Sequence, residues 1–381
     1  MIPYGRQDIN QADIDAVIEV LQSDYLTQGP KVPEFETAVA SYCFARYGVA
    51  VNSATSALHI ACLALGIGQN DIVWTSPITF VATANCALYC GAEIDFVDVN
   101  PLSGNMCPDA LAIKLEHAAQ IGKLPKALIP VHLCGHSCDM VAISTLAKQY
   151  DIKLIEDASH AIGGCFQGHK MGSCHYSDIT IFSFHPVKVI TSAEGGMAIT
   201  NDLELAEKMR LFRSHGISRD VVSMERPNEG AWYYEQHLLG FNYRMTDLQA
   251  ALGLSQLARL DEFVATRNTL AGAYDKAFCH YPIVPVNPIE DSVSARHLYV
   301  IRLNDAQKRR QCFEHMRSKN IWVNVHYFPV HLQPYYLKQG FKEGDLPRAE
   351  AFYQQILTLP LYPSMTNIEQ NSVIKTLLEV L

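Results

Sequence analysis

Asp157 and Lys188 each stand where an apolar run ends. Lys153-Leu154-Ile155 closes on Glu156-Asp157, and Thr180-Ile181-Phe182-Ser183-Phe184 leads through His185-Pro186-Val187 to Lys188, ahead of Gly195-Gly196. A lysine among apolar neighbours loses the solvation that favours its charged form and becomes a nucleophilic amine. A carboxylate at the end of a buried strand suits a magnesium ion, a helix cap or, more pointedly, a pyridinium nitrogen whose charge it balances. About one crossover of chain separates the two residues, so neighbouring strand ends would bring both into one crevice. A third group, Asn52-Ser53-Ala54-Thr55-Ser56, places small hydroxyl residues where a helix opens. Free N–H groups at such a start bind phosphate, although Ser53 or Thr55 acting as a plain N-cap satisfies the same pattern.

The elements around these residues follow from apolar spacing. Strands are expected at 48–52, 71–74, 93–97, 127–131, 153–156 and 179–184, with one more at 197–200. Helices are expected at 11–22, 32–47, 53–65, 79–90, 108–120 and 140–150. Repeated βα alternation implies a mainly parallel sheet covered on both faces. Leu248, Ala251, Leu252, Leu257 and Leu260 mark a long amphipathic helix over 247–263. Beyond it, strands at 298–303 and 322–326 and helices at 305–318, 347–357 and 367–380 read as a smaller α+β domain. Residues 12–250 would form the large domain, and 251–381, with 1–11, the small one.

The length of 381 residues exceeds one ordinary core, and 49% hydrophobic with 18% charged residues suits a packed globular enzyme. A net charge of −9 without a Lys/Arg run gives no footprint for nucleic acid. The N-terminus has no signal-peptide pattern, and no run reaches the ~18 apolar residues of a membrane span. A cytoplasmic location without a membrane partner is the expectation. The 11 cysteines read as free thiols. His132, Cys134, His136 and Cys138 alternate like metal ligands on one strand face, but Gly135 and Ser137 signal a chain leaving a strand, and no metal is expected there.

Taken together and in order, these segments resemble the aminotransferases of nucleotide-linked keto-sugars (DegT/DnrJ/EryC/StrS-like) among fold-type-I pyridoxal phosphate (PLP) enzymes. The resemblance spans nearly the whole chain: Tyr25–Pro30, Asn52–Leu58, Pro77-Ile78-Thr79-Phe80, Glu156–His160, Ser183–Lys188 and Gly240–Asp247. It implies the aspartate aminotransferase-like fold, with a mainly parallel seven-stranded sheet in the large domain. It implies that Lys188 carries PLP through its amine, that Asp157 pairs with the ring nitrogen, that Thr55 and Ser183 bind its phosphate, and that Ser56 belongs to the cofactor site. Phe80 would stack on the ring, with His160 at its other face or phenolic oxygen. Lys188, Asp157 and His160 would be catalytic. Asn242 would reach the phosphate of a neighbouring subunit's cofactor, which implies a homodimer with shared sites. Ala54 departs from the family's glycine and slightly narrows the approach to the phosphate.

Within the family, Phe184–Lys188 and Asn324–Tyr336 are similar to the branch that serves pseudaminic acid synthesis. That likeness implies transfer of an amino group from L-glutamate, leaving 2-oxoglutarate, to C4 of a UDP-linked 4-keto-6-deoxy-N-acetylhexosamine. Substrate contacts are then expected from Tyr4, Leu26, Thr27, Gln28, Gly29, Ser56, Asn242, Arg244, Tyr327, Phe328, Pro329, Val330 and His331. An aminotransferase for another nucleotide-linked sugar, or a PLP-dependent sugar dehydratase, is the alternative. Dehydratase relatives carry histidine in place of the lysine, and Lys188 stands against that reading. A non-catalytic ligand-binding protein on the same fold, or a generic nucleotide-binding α/β protein, is a further alternative. Neither Gly-x-Gly-x-x-Gly nor a Walker motif is present to support the last.

Overall fold

A computed structural model describes residues 1–222 and 224–381. Its centre is a seven-stranded sheet: β1 (Tyr47–Val51), β2 (Ile72–Thr75), β3 (Glu93–Phe96), β4 (Ala127–Ile129), β5 (Lys153–Asp157), β6 (Ile179–Ser183) and β7 (Gly196–Thr200), in the order β1-β7-β6-β5-β4-β2-β3. Every pairing from β3 to β6 is parallel, and β7 alone runs against its neighbours. Side chains alternate between two apolar layers, as a strand period of two requires: Ile179, Ile181 and Ala198 face one, Phe182, Met197 and Ile199 the other.

Helices α1 (Gln11–Leu21), α2 (Lys31–Tyr42), α3 (Ala54–Ala64), α4 (Ala82–Tyr89), α5 (Pro108–Gln120), α6 (Met140–Gln149), α7 (Leu203–Arg213) and α8 (Asp247–Leu257) surround the sheet. α3, α4 and α7 supply one apolar layer, while α2, α5, α6 and α8 supply the other. The starts are legible in chemistry. Asn10 with Asp13, and Thr246 with Gln249, form capping boxes at α1 and α8, and Pro108 opens α5. α2 stops at Tyr42, short of the expected 47, and Tyr47 begins β1 instead.

The long helix expected over 247–263 is two helices. α8 ends at Leu257, and α9 (Leu260–Phe278) resumes after a turn at Ala258–Arg259. Arg259 is held at that turn by Asp8 at 2.8 Å and by the buried Asp13 at 2.5 Å, and Asp13 also accepts from Ser255 and Gln256. Satisfying a buried carboxylate in this way outweighs helix continuity. α9 joins an antiparallel sheet of β8 (Ile283–Pro285), β9 (Tyr299–Leu303) and β10 (Ile356–Leu359), with α10 (Lys308–Ser318), α11 (Pro347–Gln355) and α12 (Asn367–Leu378). Leu270, Tyr274, Tyr299, Ile301, Met316, Leu357 and Val373 form its core, with Ile2 of the N-terminus packed on it. The strand expected at 322–326 is absent from the described residues; Ile321 makes one bridge to Ile2, and Asn324 one to Thr358.

Candidate active site

The carboxyl ends of β1, β5 and β6 open onto a cavity of about 1040 Å³. Tyr4, Thr55, Ser56, Phe80, Asp157, His160, Ser183, Lys188, Tyr327 and Phe328 all line it. Sheet register brings the phosphate-side groups together: Ser183 lies opposite Gly196, and Gly196 opposite Val51, the residue from which the chain enters α3. A side chain at Gly196 would press its Cβ to 2.5 Å from Ala54 N, Ser53 C and Ser53 O, so only glycine lets β7 pass so close to the start of α3. Ser53 caps Ser56 N at 3.1 Å, and the Ser53 carbonyl accepts from Ala57 N. The amides of Ala54 and Thr55 are left pointing outward, beside the Thr55 and Ser183 hydroxyls. Ser56 is buried, and its hydroxyl already donates to Asn52 Oδ1 at 2.6 Å.

Asp157 is buried at the end of β5. Its Oδ2 accepts from Thr83 Oγ1 at 2.7 Å and its Oδ1 from Ser159 N at 3.1 Å. Thr79 Oγ1 lies 2.8 Å from Thr83 Oγ1; because Thr83 gives its only proton to Asp157, Thr79 must donate to Thr83. This relay fixes the carboxylate while leaving lone pairs for a ring N–H.

Lys188 sits in a loop closed at both ends. Phe184 N donates to Gly195 O at 2.9 Å, while Phe184 O accepts from Ser192 N and Thr191 Oγ1, each at 3.0 Å. Ala193 in this loop adopts φ 66°, the left-handed region that disfavours a Cβ. Burial pushes the Lys188 ammonium down to about 8, against the opposing pull of the Asp157 charge. The side chain as a whole is half-buried, but the desolvation acts where the amine lies, within the cavity, and the direction of the shift follows from it.

His160 is buried, and burial holds its imidazole well below the usual value, with further opposition from Lys188. The ring is therefore neutral. Its Nδ1 accepts from Cys134 N at 3.3 Å, which places the proton on Nε2. Nε2–H then donates to the Tyr327 hydroxyl at 3.2 Å, and the hydroxyl's own proton is free to face the cavity. Tyr327, with Phe80 at 6.4 Å between ring centres, and Phe328 give the cavity an aromatic lining.

Other expected contacts lie elsewhere. Leu26, Thr27, Gln28 and Gly29 are not among the lining residues; this loop is tied to the start of α8, with Leu26 O accepting from Asp247 N, Thr27 bridging Thr246 and Gly29 N donating to Asp247. Asn242 is exposed and bridges Ser214, and Arg244 bridges Val51, both outside the cavity of the single chain. Pro329, Val330 and His331 are buried outside the cavity. Val330 N is bonded to Pro77 O, and His331 is fully buried against Glu350 at 3.0 Å. Polar lining residues missed by the sequence reading include Thr83, Gln249, His326 and Gln333, with His185 and Glu194 also lining the cavity. The Thr79/Thr83 pair at helical i,i+4 spacing was the available signal.

The alternating His132–Cys138 segment diverges. His132 Nε2 meets Glu156 at 2.7 Å while its Nδ1 accepts from Cys138 N; His136 reaches Val286 O, and Cys138 Sγ turns to Val131 O. Cys134 has φ 63° inside a 3-10 turn at Leu133–Gly135.

The residues present fit PLP. Ala54 and Thr55 amides with the Thr55 and Ser183 hydroxyls suit its phosphate, buried Asp157 suits a ring N–H, and the lowered Lys188 suits its aldehyde. Comparison with known proteins agrees. Residues 7–378 match the DegT/DnrJ/EryC1/StrS aminotransferase family. The chain is 40% identical to the spore coat polysaccharide biosynthesis protein SpsC of Bacillus subtilis, over all of this chain and 97% of that protein. It is also 40% identical to the UDP-4-amino-4,6-dideoxy-N-acetyl-β-L-altrosamine transaminase of Campylobacter jejuni, over all of this chain and 98% of that one. The sugar aminotransferase Spr1654 of Streptococcus pneumoniae, described as putative and solved in its PMP form, superposes with a TM-score of 0.92 at 29% identity, covering 100% and 99% of the two chains.

Proposed function

The chain belongs to the DegT/DnrJ/EryC1/StrS aminotransferase family and is a PLP-dependent sugar aminotransferase, and on that footing we propose that it aminates C4 of a UDP-linked 4-keto-6-deoxy-N-acetylhexosamine with L-glutamate as donor. The observation that carries this is the cavity itself. At about 1040 Å³ it lies at the upper end of small-molecule sites, and it holds the lysine, the carboxylate and the helix start together with an aromatic lining. A cofactor alone leaves much of that space for a sugar. The likeness to the C. jejuni transaminase supports the particular sugar.

Bound PLP supplies an aldehyde that takes up an amino group and a ring that accepts electrons from the substrate carbon. The protein's residues do the rest. Asp157 holds a proton on the ring nitrogen by opposing its charge, with Thr83 and the Ser159 amide keeping the carboxylate in place. Lys188 Nζ, mostly neutral above about pH 8, would take and hold the proton from the substrate carbon. Tyr327, its oxygen occupied by His160, offers its proton to the substrate or cofactor oxygen in the cavity. Asn242 completes the phosphate site of a neighbouring subunit in a homodimer.

The test is to add UDP- and dTDP-linked 4-keto-6-deoxy sugars to the purified, pyridoxamine-loaded protein and follow the visible spectrum. Return of the PLP band with the UDP-N-acetyl ketone alone supports the assignment. Return with a different sugar moves the substrate. Silence with every sugar overturns it.

A further inference from the structure

α3 and α4 meet through a cluster of thiols that the transamination chemistry does not use. Cys62 Sγ of α3 lies 3.6 Å from Cys86 Sγ of α4. Cys90, just past the last residue of α4, interacts with the same Cys62 and places its own Sγ 3.3 Å from Cys86 O. Cys62 and Cys86 are fully buried, whereas Cys90 is half-buried and is the sulfur of the three that a solvent-borne oxidant reaches first. His59, one turn before Cys62, also hydrogen-bonds to Cys90 and has its Nδ1 3.1 Å from the Tyr243 hydroxyl. Contacts with Cys62 and His59 hold the Cys90 thiol below its ordinary value against the effect of burial, while the Cys62 thiol is pushed up. An accessible sulfur with thiolate character beside a buried partner is the arrangement of an attacking and a resolving cysteine.

We propose that Cys90 and Cys62 form an oxidisable pair that closes to a disulfide joining α4 to α3. With hydrogen peroxide as oxidant, the Cys90 thiolate attacks one peroxide oxygen. The O–O bond breaks, water leaves after protonation, and Cys90 becomes a sulfenic acid. The Cys62 sulfur then attacks the Cys90 sulfur, the S–O bond breaks, and a second water leaves. Two thiols lose two hydrogens and one peroxide becomes two waters. The bond would clamp two helices that both serve the cavity, α3 through the amides at its start and α4 through Thr83 at Asp157.

The holoenzyme carrying Cys279→Ser, which removes the exposed cysteine, is treated with hydrogen peroxide, alkylated and cleaved on the N-terminal side of aspartate without reduction. Cleavage before Asp71 separates Cys62 from Cys86 and Cys90, and cleavage before Asp95 removes Cys107. The expected product is the Cys62 peptide linked to the Asp71 peptide, lost on treatment with dithiothreitol. Fragmentation should place the link at Cys90, with Cys86→Ser keeping it and Cys90→Ser abolishing it. Cys62 still free while Cys90 advances to sulfinic acid would overturn the proposal, as would a link that persists in Cys90→Ser.

Discussion

Lys188 and Tyr327 are the residues where a single atom decides what the cavity does. Lys188→Ala should retain the fold and bind pyridoxamine phosphate, yet show no turnover in a coupled glutamate assay. The lowered lysine carries a signed pH dependence. Its neutral form rises from a small fraction at pH 7 to most of the population at pH 9, so labelling of Lys188 in the apoprotein by an amine-reactive reagent should increase roughly tenfold over that range and then level off. An ordinary lysine would keep climbing past pH 10, and that outcome would contradict the depressed value. Tyr327→Phe removes a donor and leaves the buried His160 Nε2–H unpaired, so kcat/KM for the keto-sugar should fall by about tenfold or more, with about 1–3 kcal/mol of stability lost in denaturant unfolding. Lys188, Asp157, Thr55 and Ser183 were legible because each sits at a strand end or helix start that the local pattern marks. Thr83 was not, because its role depends on how α4 packs against β5. Val330 and His331 were expected as substrate contacts from the family likeness, and their burial outside the cavity depends on tertiary packing that no local pattern marks.

At the level of elements, one position in the Lys188 loop and one at the start of β7 make opposite predictions. Gly196→Ala would drive a Cβ into the backbone at the start of α3; cofactor affinity, measured by titration of the apoprotein, should fall clearly, with about 1–3 kcal/mol of stability lost. Ala193→Gly relieves a left-handed residue, and the variant should gain about 1 kcal/mol in denaturant unfolding without losing activity. Most strands and helices of the sheet region were readable to within a residue or two, since alternation and caps coincide there. The failures share a cause. The break between α8 and α9 is set by Asp8 and Asp13, far away in sequence, and β10 follows α11 without a glycine or proline to announce the change. The run 322–326 has strand-like composition but finds partners only at single bridges.

At the level of the whole molecule, Asn242 is exposed and lies outside the cavity of its own chain, so its proposed action in a second copy can be tested against action in its own chain. In the proposed homodimer, mixing Lys188→Ala and Asn242→Ala subunits, each expected to be inactive or nearly so, would give mixed dimers in about half of the population. If Asn242 acts across the interface, one of the two sites in each mixed dimer is intact, and about a quarter of wild-type activity returns. If it acts within its own chain, mixing restores nothing, and activity against mixing ratio separates the two. The reversal of β7 has a bearing on speed as well as shape. Because β6 and β7 run side by side in opposite directions, the loop between them leaves and re-enters the sheet at nearly the same point, pinned by the bonds between Phe184 and residues 191–195. A lysine on so short a tether, once displaced, has nowhere to diffuse. Its effective concentration at the reacting carbon remains far above that of any free amine, so both its proton transfers and its recapture of the cofactor are intramolecular events.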